Sequence, residues 1–261
     1  MSNLPFYGAM THAFARRLLP IPALLAVLLA ALPAHAAPDC RAATGPRAAT
    51  VVELYTSQGC SSCPPADRWL TRLQGEPGVV PLAFHVDYWD NLGWKDRHAS
   101  RANTERQASE RRINGARYSY TPQVVIDGVD RPDWPQATVG AKAPPRSSPV
   151  EATLARDGDR VLATVAPRGA SAPKRLAAVW AVTEHGQTTA VRAGENRGAT
   201  LGNDAVVRRW EPVEPWTADA KTPRRLSFPA PSAPAGSRQS IALVVLDAAT
   251  GRPLDALALS C

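Results

Sequence analysis

Two thiols stand three residues apart in Gly59-Cys60-Ser61-Ser62-Cys63-Pro64-Pro65, directly after an apolar stretch at residues 51–55. Cysteines at this spacing can close a small ring, which suits them to dithiol–disulfide chemistry. A thiol at the start of a helix meets unpaired backbone N–H groups and the positive end of the helix dipole, and both favour the thiolate. Cys60 is therefore the expected reactive sulfur. Cys63, one turn further on and more shielded, would resolve a mixed disulfide formed at Cys60. Pro64 and Pro65 are harmless only in a first helical turn, so the regular helix is expected to begin near Cys63. Ser61 and Ser62 would either donate hydrogen bonds to a thiolate or cap the helix. The plain alternative is a disulfide that only stiffens a loop.

His85, Asp87 and His98 invite a metal reading. By spacing, His85 and Asp87 share a strand face, and with Cys60 and Cys63 they would form a mixed sulfur and nitrogen site for Cu(I) or Zn. The three-apart thiol pair points to dithiol chemistry instead, so no metal ligand and no cofactor is assigned; His85 is equally a packed, hydrogen-bonded histidine. Trp89 and Trp94 either line a substrate surface or fill the core of their own loop.

The elements that must hold these residues alternate. Residues 51–55 read as a buried strand, residues 66–73 as a helix with Trp69, Leu70 and Leu73 on one face, and residues 79–86 as a second buried strand. This is a β–α–β unit. Asp96 is a candidate cap for a second helix running through Arg111 and ending near Asn114-Gly115; its lack of an apolar face predicts a surface position. Residues 118–122 then lead into a strand at 123–126 that breaks at Asp127-Gly128, a hairpin turn. A proline opening a strand cannot donate to the ladder, and Thr121-Pro122 is a candidate cis bond.

The wording of the residues from Glu53 to Asp67, Glu-Leu-Tyr-Thr-Ser-Gln-Gly-Cys-Ser-Ser-Cys-Pro-Pro-Ala-Asp, with Phe84-His85-Val86-Asp87-Tyr88-Trp89, resembles the DUF1223 family. The resemblance extends more loosely through Gly194-Glu195-Asn196 and residues 201–208. It implies an exported bacterial protein with a thioredoxin-like domain, and no established substrate. On that likeness Thr121 and Pro122 would flank Cys60. Glu53 stands about where many relatives bury a carboxylate behind the second cysteine, which implies either a proton relay to Cys63 or a structural role, pointing to solvent or binding Arg68.

Residues 141–149 are rich in proline and serine and read as a linker. Beyond them, residues 150–154, 161–165, 176–182, 206–210, 241–246 and 254–259 are short strand-like runs separated by turn signals, and they lack a nucleophile, histidine and carboxylate in a usable pattern. The expected organisation is α/β: a signal peptide at 1–36, a thioredoxin-like domain at 37–143, and a smaller, mostly-β, sandwich-like domain at 149–261.

Export is expected because Arg16 and Arg17 precede an apolar run at 18–32, and Ala34-His35-Ala36 offers a small-x-small cleavage pattern. Cleavage after Ala36 would leave a periplasmic or secreted chain with no membrane attachment; the alternative is a retained anchor. The formal net charge of +7 includes those two arginines, and the remaining basic residues are scattered without aromatic interleaving, which excludes a nucleic-acid platform. Four cysteines in an exported chain favour oxidation, and Cys40 with Cys261 would staple both domains if the termini meet; two free thiols on mobile ends is the other possibility. The functional expectation is an exported thiol–disulfide oxidoreductase that exchanges with protein thiols or disulfides and an unidentified redox partner. Its alternatives are a binding module with a structural Cys60–Cys63 bridge and a Cu(I)- or Zn-binding protein.

Overall fold

Residues 40–233 and 236–261 are described by the computed structural model, so the expected signal peptide at 1–36 lies outside the described residues. A short strand, β1 (Arg41–Ala43), precedes β2 (Thr50–Thr56), all of whose residues are buried. Burial on both faces is why β2 reads as a continuous run rather than an alternating one. The chain turns through the cysteine loop into α1 (Pro64–Thr71) and returns as β3 (Val79–His85), parallel to β2 with Thr56 opposite His85. Cys63 is the N-cap residue, and Pro64 and Pro65 fill the first turn, where an N–H has no intrahelical partner to lose. Ala66, Trp69 and Leu70 of α1 pack on Val52, Leu54, Ala83 and Val124, the side chains that alternation aims at that face of the sheet.

The second helix, α2 (Arg101–Ile113), begins later than expected. Ser100 is its N-cap, the hydroxyl accepting from Asn103 N–H at 3.2 Å. Helix α2 lies on the surface as expected, but a polar face docks it. Asn103, Gln107 and Glu110 are buried; Arg106 lies 2.8 Å from both Glu53 and Glu110, and Gln107 Nε2 donates to the Tyr120 carbonyl at 2.7 Å. The Arg106 guanidinium also sits 4.8 Å over the Trp210 ring. A cis Thr121–Pro122 peptide then leads into β4 (Gln123–Ile126), antiparallel to β2. Asp127 and Gly128, with φ of 49° and 77°, supply the left-handed backbone of the tight turn into β5 (Val129–Asp130).

Past residue 149 the described chain is strand and turn: β6 (Val150–Asp157), β7 (Arg160–Pro167), β8 (Arg175–His185), β9 (Gln187–Ala190), β10 (Thr200–Asn203), β11 (Val206–Thr217), β12 (Arg224–Pro229), β13 (Arg238–Asp247) and β14 (Pro253–Leu259). Strands β1, β6, β7 and β12 form one sheet, β9 and β10 a separate ribbon, and the remaining eight a sheet in the order β14-β13-β8-β11-β3-β2-β4-β5. The fold is therefore mostly β and multi-sheet. The proline- and serine-rich segment at 141–149 does not separate two bodies: β11 pairs with β3, Val206 opposite Ala83, and the described residues from 40 onward belong to one compact unit. Alternation sorts the core. Trp180 and Val182 of β8 with Leu243 and Val245 of β13 pack against the four-stranded sheet, while Ala181, Ala242 and Val244 join Val51, Tyr55 and Phe84 on the opposite face.

Cys40 and Cys261 are joined, with Cα atoms 6.0 Å apart across 221 residues of sequence. Closing so long a loop removes denatured-state freedom worth up to about 5 kcal/mol in the chain-entropy account. Cys261→Ser is expected to lower the unfolding free energy by about 2–5 kcal/mol, read from urea unfolding of the oxidised proteins.

Candidate functional site

Cys60 and Cys63 are bonded to each other, Cα atoms 5.5 Å apart, where β2 ends and α1 begins. Both side chains have 0% exposure. The β9–β10 ribbon and its connecting loop are clamped onto the cysteine loop. Asn196 Nδ2 donates to the carbonyls of Gln58 (3.0 Å) and Cys60 (2.9 Å), and Ser61 N–H donates to Glu195 Oε2 at 3.0 Å. Gln58 Nε2 reaches Thr189 Oγ1 and Asn203 Oδ1, each at 3.0 Å, and Gln58 Oε1 accepts from the Trp94 indole at 3.3 Å. Gly194, with φ of 71°, permits the approach: a Cβ there would lie 3.0 Å from Trp94 Cβ. Ser61 and Ser62 face solvent at the rim, the Ser62 hydroxyl 3.4 Å from Cys60 Sγ.

Strand register sets Gln123 opposite Tyr55, so Thr121 and Pro122 stand beside the end of β2 from which the cysteine loop departs. Trp89 joins the two segments. Its indole N–H donates to Thr121 Oγ1 at 2.9 Å, and a Cβ on Gly59 would meet Trp89 Cβ at 3.1 Å. Both tryptophans therefore hold the loop in place.

Glu53 is not with them. Period-two alternation turns it, with Val51 and Tyr55, to the face of β2 away from α1, where it is buried, accepting from Tyr55 Oη at 2.5 Å and Arg106 at 2.8 Å. Its partner is neither solvent nor Arg68, and a carboxylate committed to an arginine on the far face has no route to Cys63. The residues of the alternative metal reading are not brought together either. Strand β3 ends at His85, which bonds Asp96, while Asp87 turns to α2 and accepts from the Thr104 hydroxyl at 2.5 Å.

The residue that sequence reasoning misplaced is Asp96. It does not cap α2; its buried carboxylate accepts from Gln58 N–H (2.9 Å), His98 N–H (2.8 Å) and His85 Nδ1 (2.6 Å). Burial opposes the Asp96 charge, but His85 and these donors outweigh it and hold the carboxyl down at about 2. Arg208 Nη1 donates to His98 Nδ1 at 3.2 Å, and burial, then His85, push His98 down to about 3. Asp67, also buried, shows the reverse: burial pushes it up to about 6, with His85 pulling the other way. No periodic pattern flags such residues; the signal available was three histidine and aspartate residues crowded at 85, 96 and 98.

A cavity of about 760 Å³ opens elsewhere, lined by Cys40, Cys261, His185 and Ser240, and it shares no residue with the cysteine loop. His185 Nε2 lies 2.8 Å from Ser240 Oγ, but Nδ1 accepts from Ala205 N–H, so Nε2 carries the proton and cannot serve as a base for that serine.

The family model for a protein of unknown function, DUF1223, matches residues 51–246, a span that takes in both the cysteine loop and the ribbon covering it. The chain belongs to the DUF1223 family. Among solved structures, this DUF1223 chain is similar to a crystallographically determined protein from Agrobacterium tumefaciens, with 27% identity over 83% of this chain and 96% of that one and a TM-score of 0.60. It also shares a fold with HBP35 of Porphyromonas gingivalis, at 12% identity over 82% of this chain and 75% of that one, TM-score 0.52. No curated protein matches. Among the described residues no helix is long and apolar enough to cross a membrane.

The His98 environment has a measurable consequence. The unfolded chain takes up a proton near pH 6.5 that folded His98 refuses until about pH 3, so stability held above pH 6.5 drains away on acidification through that interval. His98→Gln, which keeps an acceptor for Arg208, is expected to lose less unfolding free energy than the native protein in denaturant titrations between about pH 7 and pH 4.

Proposed function

We propose that this DUF1223 chain is an exported thiol–disulfide exchange protein, built on a thioredoxin-like half at residues 37–143, that keeps its redox pair under a removable cover. The observation carrying this reading is the Cys60–Cys63 bond at the junction of β2 and the α1 N-cap, beside the strand opened by Thr121–Pro122. A bond that only stiffened the fold would have no need of that position. Here a freed Cys60 thiolate would lie before the positive end of the α1 dipole, with the Ser62 hydroxyl 3.4 Å from its sulfur, since Pro64 and Pro65 leave the first turn without N–H groups to offer. Export is supported by two disulfides in one chain and by the cleavable-signal pattern before Ala36. Protein thiols and disulfides are the proposed partners. Tyr88 and Tyr118, 38% and 71% exposed next to Trp89 and Tyr120, offer them apolar surface.

With both sulfurs buried, exchange requires the β9–β10 ribbon to lift. The clamp is polar: two bonds from Asn196, one from Glu195 at an exposed position, and those of Gln58. Each net hydrogen bond contributes about 0.5–1.5 kcal/mol, so local opening is accessible without global unfolding. Complete burial also favours a second reading, a purely structural bridge. Asn196→Ala separates the two. Loss of two bonds is expected to speed reduction of Cys60–Cys63 by dithiothreitol about tenfold, followed by alkylation and peptide mapping, and Cys63→Ala is expected to accumulate mixed disulfides at Cys60 in cells. Reduction that proceeds only at the rate of global unfolding in both proteins, with no trapped species, establishes the structural bridge.

A further inference from the structure

Asp67 follows Cys63 by four residues, and its N–H donates to the Cys63 carbonyl at 3.1 Å. Residues four apart stack on one helical face, and helical side chains lean toward the N-terminus, so the Asp67 carboxylate leans toward Cys63. Both side chains are buried. Beneath them, alternation along β3 turns His85 to the same face as Ala83, the face α1 covers. Its Nδ1–H donates to ionised Asp96, and its Nε2 is buried with no hydrogen-bond partner among the described residues. Thr56 Oγ1, opposite His85 on β2, lies close to the Asp67 carboxyl and, like His85, draws it down. A buried acid, a hydroxyl beside it and an unpartnered imidazole nitrogen thus gather under the first turn of α1. Native interiors seldom leave such a nitrogen unsatisfied without a role for it.

We infer that Asp67 accepts the proton of Cys63 when that thiol resolves a mixed disulfide, with His85, fixed by Asp96, as the residue that positions and tunes it. The inference rests on the exchange reading above and supplies the acceptor that Glu53, turned to the other face, does not. In the step, the Cys63 Sγ proton passes to the Asp67 carboxylate and the Cys63 sulfur forms its bond to Cys60 Sγ. The bond from Cys60 to the partner's sulfur breaks. Its electron pair leaves as the partner's thiolate, which takes a proton from water, and Asp67 returns its own to solvent. Burial that holds Asp67 up at about 6 makes it ionised, yet basic enough, at neutral pH. The charged groups around it are Arg68 on its own helix, His85 on β3 and Asp96 before α2, with His98 and Arg208 behind them.

The test uses the reduced full-length chain and the aromatic disulfide dithionitrobenzoate, with acid quench and peptide mapping to assign the mixed disulfide to Cys60 and absorbance to follow thionitrobenzoate released by Cys63. The native rate is expected to rise through an inflection near pH 6 and then level. Asp67→Asn should resolve about tenfold or more slowly at neutral pH, lose that inflection and approach the native rate only in alkali, with attack at Cys60 unchanged. His85→Gln should displace the inflection upward, because His85 is what draws Asp67 down, and this reading stands even if Asp67→Asn does not fold. Identical pH profiles for the native and Asp67→Asn proteins, or an inflection that His85→Gln leaves in place, overturn the inference and leave exchange intact. Failure of any mixed disulfide to form at Cys60, in the native or the Asn196→Ala protein, overturns the exchange reading and this inference with it.

Discussion

One buried anion organises the region around the cysteines. An ionised carboxylate far from water is costly unless several donors surround it. Asp96 has three, drawn from the cysteine loop at Gln58, from the lead-in to α2 at His98 and from β3 at His85. Those donors fix consequences in turn. Gln58, held through its backbone, extends its side chain to Thr189 and Asn203 on the covering ribbon. His85, held through Nδ1, must present Nε2 to the underside of α1. His98, with its backbone on Asp96 and its ring taken by Arg208, stays neutral in the core.

Two kinds of interaction divide the labour. The apolar clusters on either side of the eight-stranded sheet supply most of the burial, with the terminal disulfide closing the ends of the chain on each other. Polar contacts decide which surfaces meet. Arg106 between Glu53 and Glu110 sets how α2 lies on the sheet; a buried ion pair of this kind contributes little net stability, but losing one member would strand the others without partners. The ribbon over Cys60 belongs to the same class. A cover held by directional hydrogen bonds at its rim can separate as a unit, whereas one held by a wide apolar face would open only with the core.

The β–α–β unit, the helix start at Cys63, the hairpin at Asp127-Gly128 and six of the nine strands after residue 149 were legible because each rests on local chemistry: an apolar run, a proline in a first turn, a residue pair that tolerates left-handed backbone. Most of the failures share a cause of the opposite kind. Helix α2 has no apolar stripe because its docking face is Asn103, Gln107 and Glu110, and β9 and β10 are short strands of polar residues whose task is to bind a loop some 130 positions away. The docking face of α2, the place of Asp96 and the ribbon went unread where buried polar residues found partners distant in sequence, which periodicity does not record; β12 was missed although Leu226 and Phe228 alternate inward.

The sequence by itself determined that two thiols would stand three apart at a strand-to-helix junction, since covalent spacing and proline's fixed φ admit few other arrangements there. Tertiary structure alone decided which carboxylates lie near them. Glu53 and Asp67 look alike in sequence, but strand alternation sends the first to Arg106 and helical stacking keeps the second beneath Cys63. Which segment is fastened to the cysteine loop was likewise decided in three dimensions, because Asn196 and Glu195 reach it from far along the chain.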